Sequence, residues 1–291
     1  MLERDYCLAW FLAALAESDL KPVLGFKGGT ALKRCYFADY RFSEDLDFTL
    51  TETITFEELV KRLESIYAAV YDASGILFAF DREDRKTHEN SYTFYLKYLK
   101  YEGPLPTGNN VKVDVTVRES LAFPLLVRPV LRGYEEFTDL PVDRHIRVYA
   151  LEEIATEKTL ALADRARNEP RDLFDLWHLT SGEGLDLGPI AGAMRQKLEF
   201  RGKPSEGIAD AIRNKEARLK ALWSNRLAYQ MTSLPEFDHV FRSCCERFGK
   251  RICRSRDRVF RWAGRQVFLL QNLTCGRSRL VYVLARKLSS G

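Results

Sequence analysis

Asp45 and Asp47 lie one residue apart, downstream of a glycine turn, in Lys27-Gly28-Gly29-Thr30 … Arg41-Phe42-Ser43-Glu44-Asp45-Leu46-Asp47-Phe48. On a strand the two carboxylates point the same way, while Leu46 and Phe48 face a core. Like charges held side by side repel, so the pair is costly without a counter-charge. A divalent cation such as Mg²⁺ or Mn²⁺ supplies it, and Mg²⁺ typically takes one or two carboxylates plus substrate phosphates. The pattern therefore points to metal-assisted chemistry on a phosphate.

The turn before it fits that chemistry. Gly28 and Gly29 let backbone approach a ligand closely. Thr30 is expected to cap the helix-compatible run Ala31–Tyr36, whose N-terminus would attract phosphate. The G-x-x-x-x-G-K-[ST] spacing of a Walker A loop is absent. A third carboxylate sits in Val111-Lys112-Val113-Asp114-Val115-Thr116-Val117. This run alternates as a half-buried strand should, valines inward and Lys112, Asp114 and Thr116 on the other face. Tyr92–Tyr98 reads as a further strand. Were the sheet to bring Asp114 beside Asp45 and Asp47, three carboxylates could hold two cations and stabilise both oxygens of a phosphoryl displacement.

Leu151–Ala163 is rich in helix formers, and Ile154, Lys158 and Ala161 share one face. On the residues alone Lys158 is a surface lysine lying over a partly apolar stripe. Pro170 signals a helix start, and Leu173, Leu176 and Trp177 then recur as a buried stripe. Asp172 and Asp175 share the opposite side, the first as a helix-start carboxylate and the second as a solvated one.

These blocks resemble the AbiEii/AbiGii-type nucleotidyltransferase toxins, members of the DNA polymerase beta-like nucleotidyltransferase superfamily. The resemblance rests on Lys27–Leu32 with Arg41–Phe48, on the opening Glu3-Arg4-Asp5-Tyr6, and on Leu151–Leu179. It implies an α/β (α+β) nucleotidyltransferase core with a mixed sheet, followed by a mostly helical C-terminal domain. It implies an NTP substrate, with Asp45, Asp47 and Asp114 as metal ligands. Lys27, Gly28, Gly29, Thr30 and Ser43 would lie against the nucleotide, and Lys158 would contact its phosphates. Asp175 matches the family's second-block acid, Asp172 supports it, and either Asp114 or Asp175 would activate the attacking hydroxyl. It further implies a toxin of a toxin–antitoxin or phage-defence pair with a cognate antitoxin, whose acceptor is the tRNA 3′ end or another RNA.

The elements that must position these residues divide near Pro141-Val142-Asp143. Residues 1–142 read as the nucleotidyltransferase core, 143–246 as a helical domain completing the active site, and 247–291 as a basic segment. Helices are expected near 188–200, 208–230 and 235–248. The chain has 291 residues and a net charge of +4. From Arg247 onward twelve Lys and Arg face only Asp257, a net +11 that leaves the first 246 residues at −7. That segment, interleaved with Phe260, Trp262 and Phe268, suits a nucleic-acid surface.

No apolar run reaches the ~18–20 residues of a membrane helix, and Cys7–Leu15, flanked by acids, is not a signal peptide. Six cysteines without paired spacing read as reduced thiols of a cytoplasmic protein, and four scattered histidines exclude an H-E-x-x-H zinc site. Two other functions fit the residues. A nucleotidyltransferase for a protein or small molecule shares every motif. An inactive nucleic-acid-binding module would need only the tail, and the intact Asp45, Asp47, Lys158 and Asp175 speak against it.

Overall fold

Alternating apolar residues in short β-branched runs build one mixed sheet in the computed structural model, which describes residues 2–84, 89–100 and 109–251. Its strands are β1 (Leu24–Lys27), β2 (Leu46–Leu50), β3 (Leu77–Glu83), β4 (Ser91–Leu99), β5 (Asn110–Thr116), β6 (Leu126–Pro129) and β7 (His145–Val148). They lie in the order β3-β4-β5-β2-β1-β7-β6. The β2–β5 and β1–β7 pairs are parallel and the others antiparallel. In β5 the expected alternation holds: Val111, Val113 and Val115 are buried, while Lys112, Asp114 and Thr116 are only partly covered.

Helix α1 (Leu2–Leu15) is apolar nearly all round and accordingly buried, with Asp5 its one buried charge. Arg34 pairs with Asp5 at 2.5 Å and donates to the carbonyls of Leu131 (3.2 Å) and Arg132 (2.8 Å). The Glu-Arg-Asp-Tyr opening thus anchors the segment after the glycine turn. Helix α3 (Phe56–Ser74) starts where the Thr55 hydroxyl accepts the Glu58 N–H at 3.1 Å and ends at Gly75, whose φ of +71° suits glycine.

Beyond β7 the chain is helical: α4 (Leu151–Ala163), α5 (Pro170–Trp177), α6 (Gly188–Phe200), α7 (Ile208–Arg213), α8 (Glu216–Leu227) and α9 (Phe237–Arg251). The single helix expected over 208–230 is instead α7 and α8, broken at Asn214-Lys215. There the Lys215 ammonium turns inward and donates to the carbonyls of Asp164 and Arg167. The described residues form one compact unit, and the expected boundary near 142 falls between β6 and β7, which pair in the same sheet. Among the described residues Cys7, Cys35, Cys244 and Cys245 are free thiols, and no helix is long and apolar enough to cross a membrane. The basic segment beyond Arg251 lies outside the described residues.

Candidate active site

Register puts four polar residues at one level across the middle of the sheet. Thr93 of β4 pairs with Asp114 of β5, Asp114 with Asp47 of β2, and Asp47 with Lys27 of β1. Directly opposed residues on neighbouring strands share a face, so Asp47 lies between a second carboxylate and a lysine. Asp45 precedes β2 by one residue and acts on the same group. Burial, then the charge of Asp45, then that of Asp114, push the Asp47 carboxyl up to about 6, against the opposing pull of Lys27 and Lys158. The Lys27 ammonium donates to the Thr116 hydroxyl at 2.6 Å. Burial lowers its pKa, with Glu157 and Asp47 opposing.

The glycine turn closes over this row. Short helix α2 (Gly28–Ala31) starts directly after β1 and continues as a wide turn over Leu32–Tyr36. Gly28 sits at φ +82°, and a Cβ there would collide with the Asp47 carboxylate. A Cβ on Gly29 would come within 2.6 Å of the Arg41 guanidinium and 3.0 Å of the Ser43 hydroxyl. Thr30 is not the helix cap, because the helix already begins at Gly28. Its buried hydroxyl instead lies 2.9 Å from that of Ser43 and donates to the Asp45 carbonyl, tying the turn to the Asp-x-Asp strand.

The helical half contributes a second carboxylate pair in a different electrical state. Asp172, in the first turn of α5 as expected, and Asp175 are both buried, so Asp175 is not the solvated carboxylate its spacing suggested. Arg41 grips Asp175 with two bonds of 2.6 and 2.7 Å, Tyr40 donates to it at 2.8 Å, and Lys158 of α4 lies 2.7 Å away. Lys158 also donates to Asp172 at 2.9 Å, which Arg167 holds from the other side at 2.6 Å. Lys158 is therefore an ion-pair node only 12% exposed, not a snorkelling surface lysine. Burial alone would raise the Asp175 pKa, but Arg41 and Lys158 outweigh it and hold the carboxyl well below the usual range. Asp172 shifts downward by the same balance, through Lys158 and Arg167.

A third network joins the sheet to the helices and had no signal in the sequence. Lys197 of α6, fully buried, lies 2.6 Å from Glu153 and Glu157 of α4 and 3.2 Å from Glu119. Glu153 accepts the backbone N–H groups of Ala122 and Phe123 at 3.0 and 2.9 Å, fixing the loop that follows β5.

Structure thus gathers Asp45, Asp47, Asp114, Lys27, Gly28, Gly29, Thr30 and Ser43 on one side, with Lys158 and Asp175 in the adjoining helical network. Asp114 leans toward Lys112 at 3.5 Å. Among the described residues no three His, Cys, Asp or Glu side chains draw close enough together to hold a metal ion. Asp47, its carboxyl raised in spite of Lys27 and Lys158, remains short of positive charge.

This sheet and its carboxylate row define a nucleotidyltransferase-like fold. The chain belongs to the family described as nucleotidyl transferase AbiEii toxin, type IV toxin–antitoxin system, whose model matches residues 10–243. It is a nucleotidyltransferase and a toxin of that kind of system, which implies an NTP substrate and an antitoxin partner. Among solved structures it is similar to MenT4, a nucleotidyltransferase toxin from Mycobacterium tuberculosis H37Rv. The two share 19% identity over 84% of this chain and 81% of that one, with a TM-score of 0.54. Comparison with curated proteins gives no match.

Proposed function

We propose that this toxin transfers a nucleotide from an NTP to the 3′ hydroxyl of tRNA or another RNA, releasing pyrophosphate, with a divalent cation held by Asp45 and Asp47. The observation carrying this reading is the register of Asp47 against Asp114 on parallel strands, with Asp45 adjacent. Burial and the charges of Asp45 and Asp114 lift Asp47 to about 6, which suits a cation there, and Mg²⁺ or Mn²⁺ needs few protein carboxylates when phosphates complete its shell. Bound there, the cation would neutralise charge on the phosphates and the leaving oxygen.

The remaining work belongs to the chain itself. Gly28 and Gly29 give the phosphates access to backbone, and Thr30 and Ser43 keep that turn against Asp45. Lys27 and Lys158 supply positive charge on either side of Asp47. Asp114 is the better candidate to accept the proton of the attacking hydroxyl. Both oxygens of Asp175 are taken by Tyr40, Arg41 and Lys158, which suits Asp175 to positioning Lys158. The cytoplasm, where NTPs and tRNA meet, is the matching compartment.

The test is transfer of α-³²P label from each of the four NTPs, with Mg²⁺ or Mn²⁺, onto total RNA and purified tRNA. Wild type runs beside Asp45→Ala. Label at tRNA 3′ ends that vanishes in the variant supports the reading. Label on protein or a small molecule moves the acceptor there, and no turnover of any kind contradicts the reading.

A further inference from the structure

Beside the Lys158 node lies a cleft of about 1120 Å³, walled by the end of α4, the loop to α5, the end of α6, α7 and the start of α8. One of its wall residues belongs to that node: Arg167 donates to Asp172, which Lys158 also holds. The cleft therefore borders the Lys158–Asp172 pair rather than an unrelated surface.

Its charges do not cancel. Six Lys and Arg line it against four acids, Glu157, Asp164, Glu206 and Asp210. Glu157 is taken by Lys197 and Arg201, Asp164 lies 3.7 Å from Lys203, and Asp210 lies 2.9 Å from Arg213. Arg165 and Arg218 are exposed and make no ion pair among the described residues. Lys215 is bonded to the carbonyls of Asp164 and Arg167, so it fixes the Arg165 loop in place while its own charge stays unneutralised by them. Leu160, Ile208 and Ala211 add apolar surface to the same lining. Spaced cations with apolar surface among them match a chain of phosphates carrying bases. The volume exceeds the ~300–1,000 Å³ of ordinary small-molecule pockets, which favours a strand over a single nucleotide.

We infer that this cleft holds the phosphodiester backbone of the acceptor strand behind its attacking 3′ end, with Arg165 and Arg218 as phosphate contacts. The inference rests on the RNA-acceptor reading above, and binding is tested separately from transfer. The probe is a 5′-fluorescent single-stranded RNA oligonucleotide with a 4-thiouridine near its 3′ end, bound to the full chain across a salt series and then photocrosslinked. Wild type is compared with Arg165→Glu/Arg218→Glu, which leaves Asp45, Asp47, Asp114 and Lys158 untouched, and melting temperature checks its fold.

The expected result is crosslinks within 164–168 and 203–218, with affinity in the double variant down about tenfold or more and its salt slope smaller by about 2. NTP affinity stays unchanged. Crosslinks confined to other segments, the basic 252–291 included, would overturn the inference, as would equal affinity in the variant or no RNA binding by wild type. Cleft crosslinks without nucleotide transfer to RNA would leave this site standing and refute the acceptor reading alone.

Discussion

Asp47 and Asp175 are the same residue type at opposite electrical extremes. Asp47, on the sheet, sits beside two further acids, and its carboxyl is pushed up to about 6. Asp175, on α5, is fully buried yet held well below the usual range, because Arg41, Lys158 and Tyr40 occupy both its oxygens. Burial penalises both anions; the neighbours decide the outcome. A carboxylate whose charge the protein already neutralises is a scaffold. One left short of positive charge is where a cationic ligand gains most.

Four measurements sharpen or break that contrast. The largest effect is expected for Asp47→Asn. Transfer falls by roughly 1,000-fold or more, as loss of several kcal/mol of metal-assisted stabilisation requires. The melting temperature is unchanged or higher, since a repelled charge is gone. Asp175→Ala, by contrast, strands the Arg41 guanidinium in the interior and leaves Lys158 with Asp172 alone. Breaking a buried pair from one side costs about 3–5 kcal/mol, read by denaturant unfolding.

The pH dependence separates the two next. The raised Asp47 pKa means that the native state keeps a proton the unfolded chain has released. Its contribution makes stability fall as pH rises between about 4 and 6, with a slope of at most about 1.4 kcal/mol per pH unit. Asp175 behaves oppositely: its stabilisation is present above the ordinary aspartate pKa and is lost as pH falls toward its depressed one. Urea titrations of wild type and Asp47→Asn across pH 3.5–7 should differ in this window, and parallel curves would refute the Asp47 assignment. The smallest effect is expected for Thr30→Val, which loses the bonds to Ser43 and Asp45. It should cost about 1 kcal/mol of stability and raise KM for NTP more than it lowers kcat.

Much of the sheet side was legible in the sequence, because its signals are local. The valine alternation around Asp114 names its strand and its exposed face, and Asp-x-Asp needs only a strand to align. The α4 block from Leu151 to Ala163 was likewise readable from composition. Asp175 was misread as solvated because spacing says which residues share a face but not what covers it. Arg41, the residue that neutralises Asp175, lies 134 positions away. Lys197 gathers Glu153 and Glu157 of α4 with Glu119 of the loop after β5 for the same reason. The break between α7 and α8 depends on Lys215 reaching back to Asp164, again a distant partner. Family resemblance carried Lys158 and Asp175 into the site where local pattern alone left them on the surface.

Binding of Mn²⁺ in the presence of NTP, followed by electron paramagnetic resonance in wild type, Asp47→Asn and Asp175→Asn, tests the contrast most directly. The account predicts an ordered Mn²⁺ signal in wild type, its loss in Asp47→Asn, and its retention in folded Asp175→Asn. An ordered signal that survives Asp47→Asn and disappears in folded Asp175→Asn would contradict it.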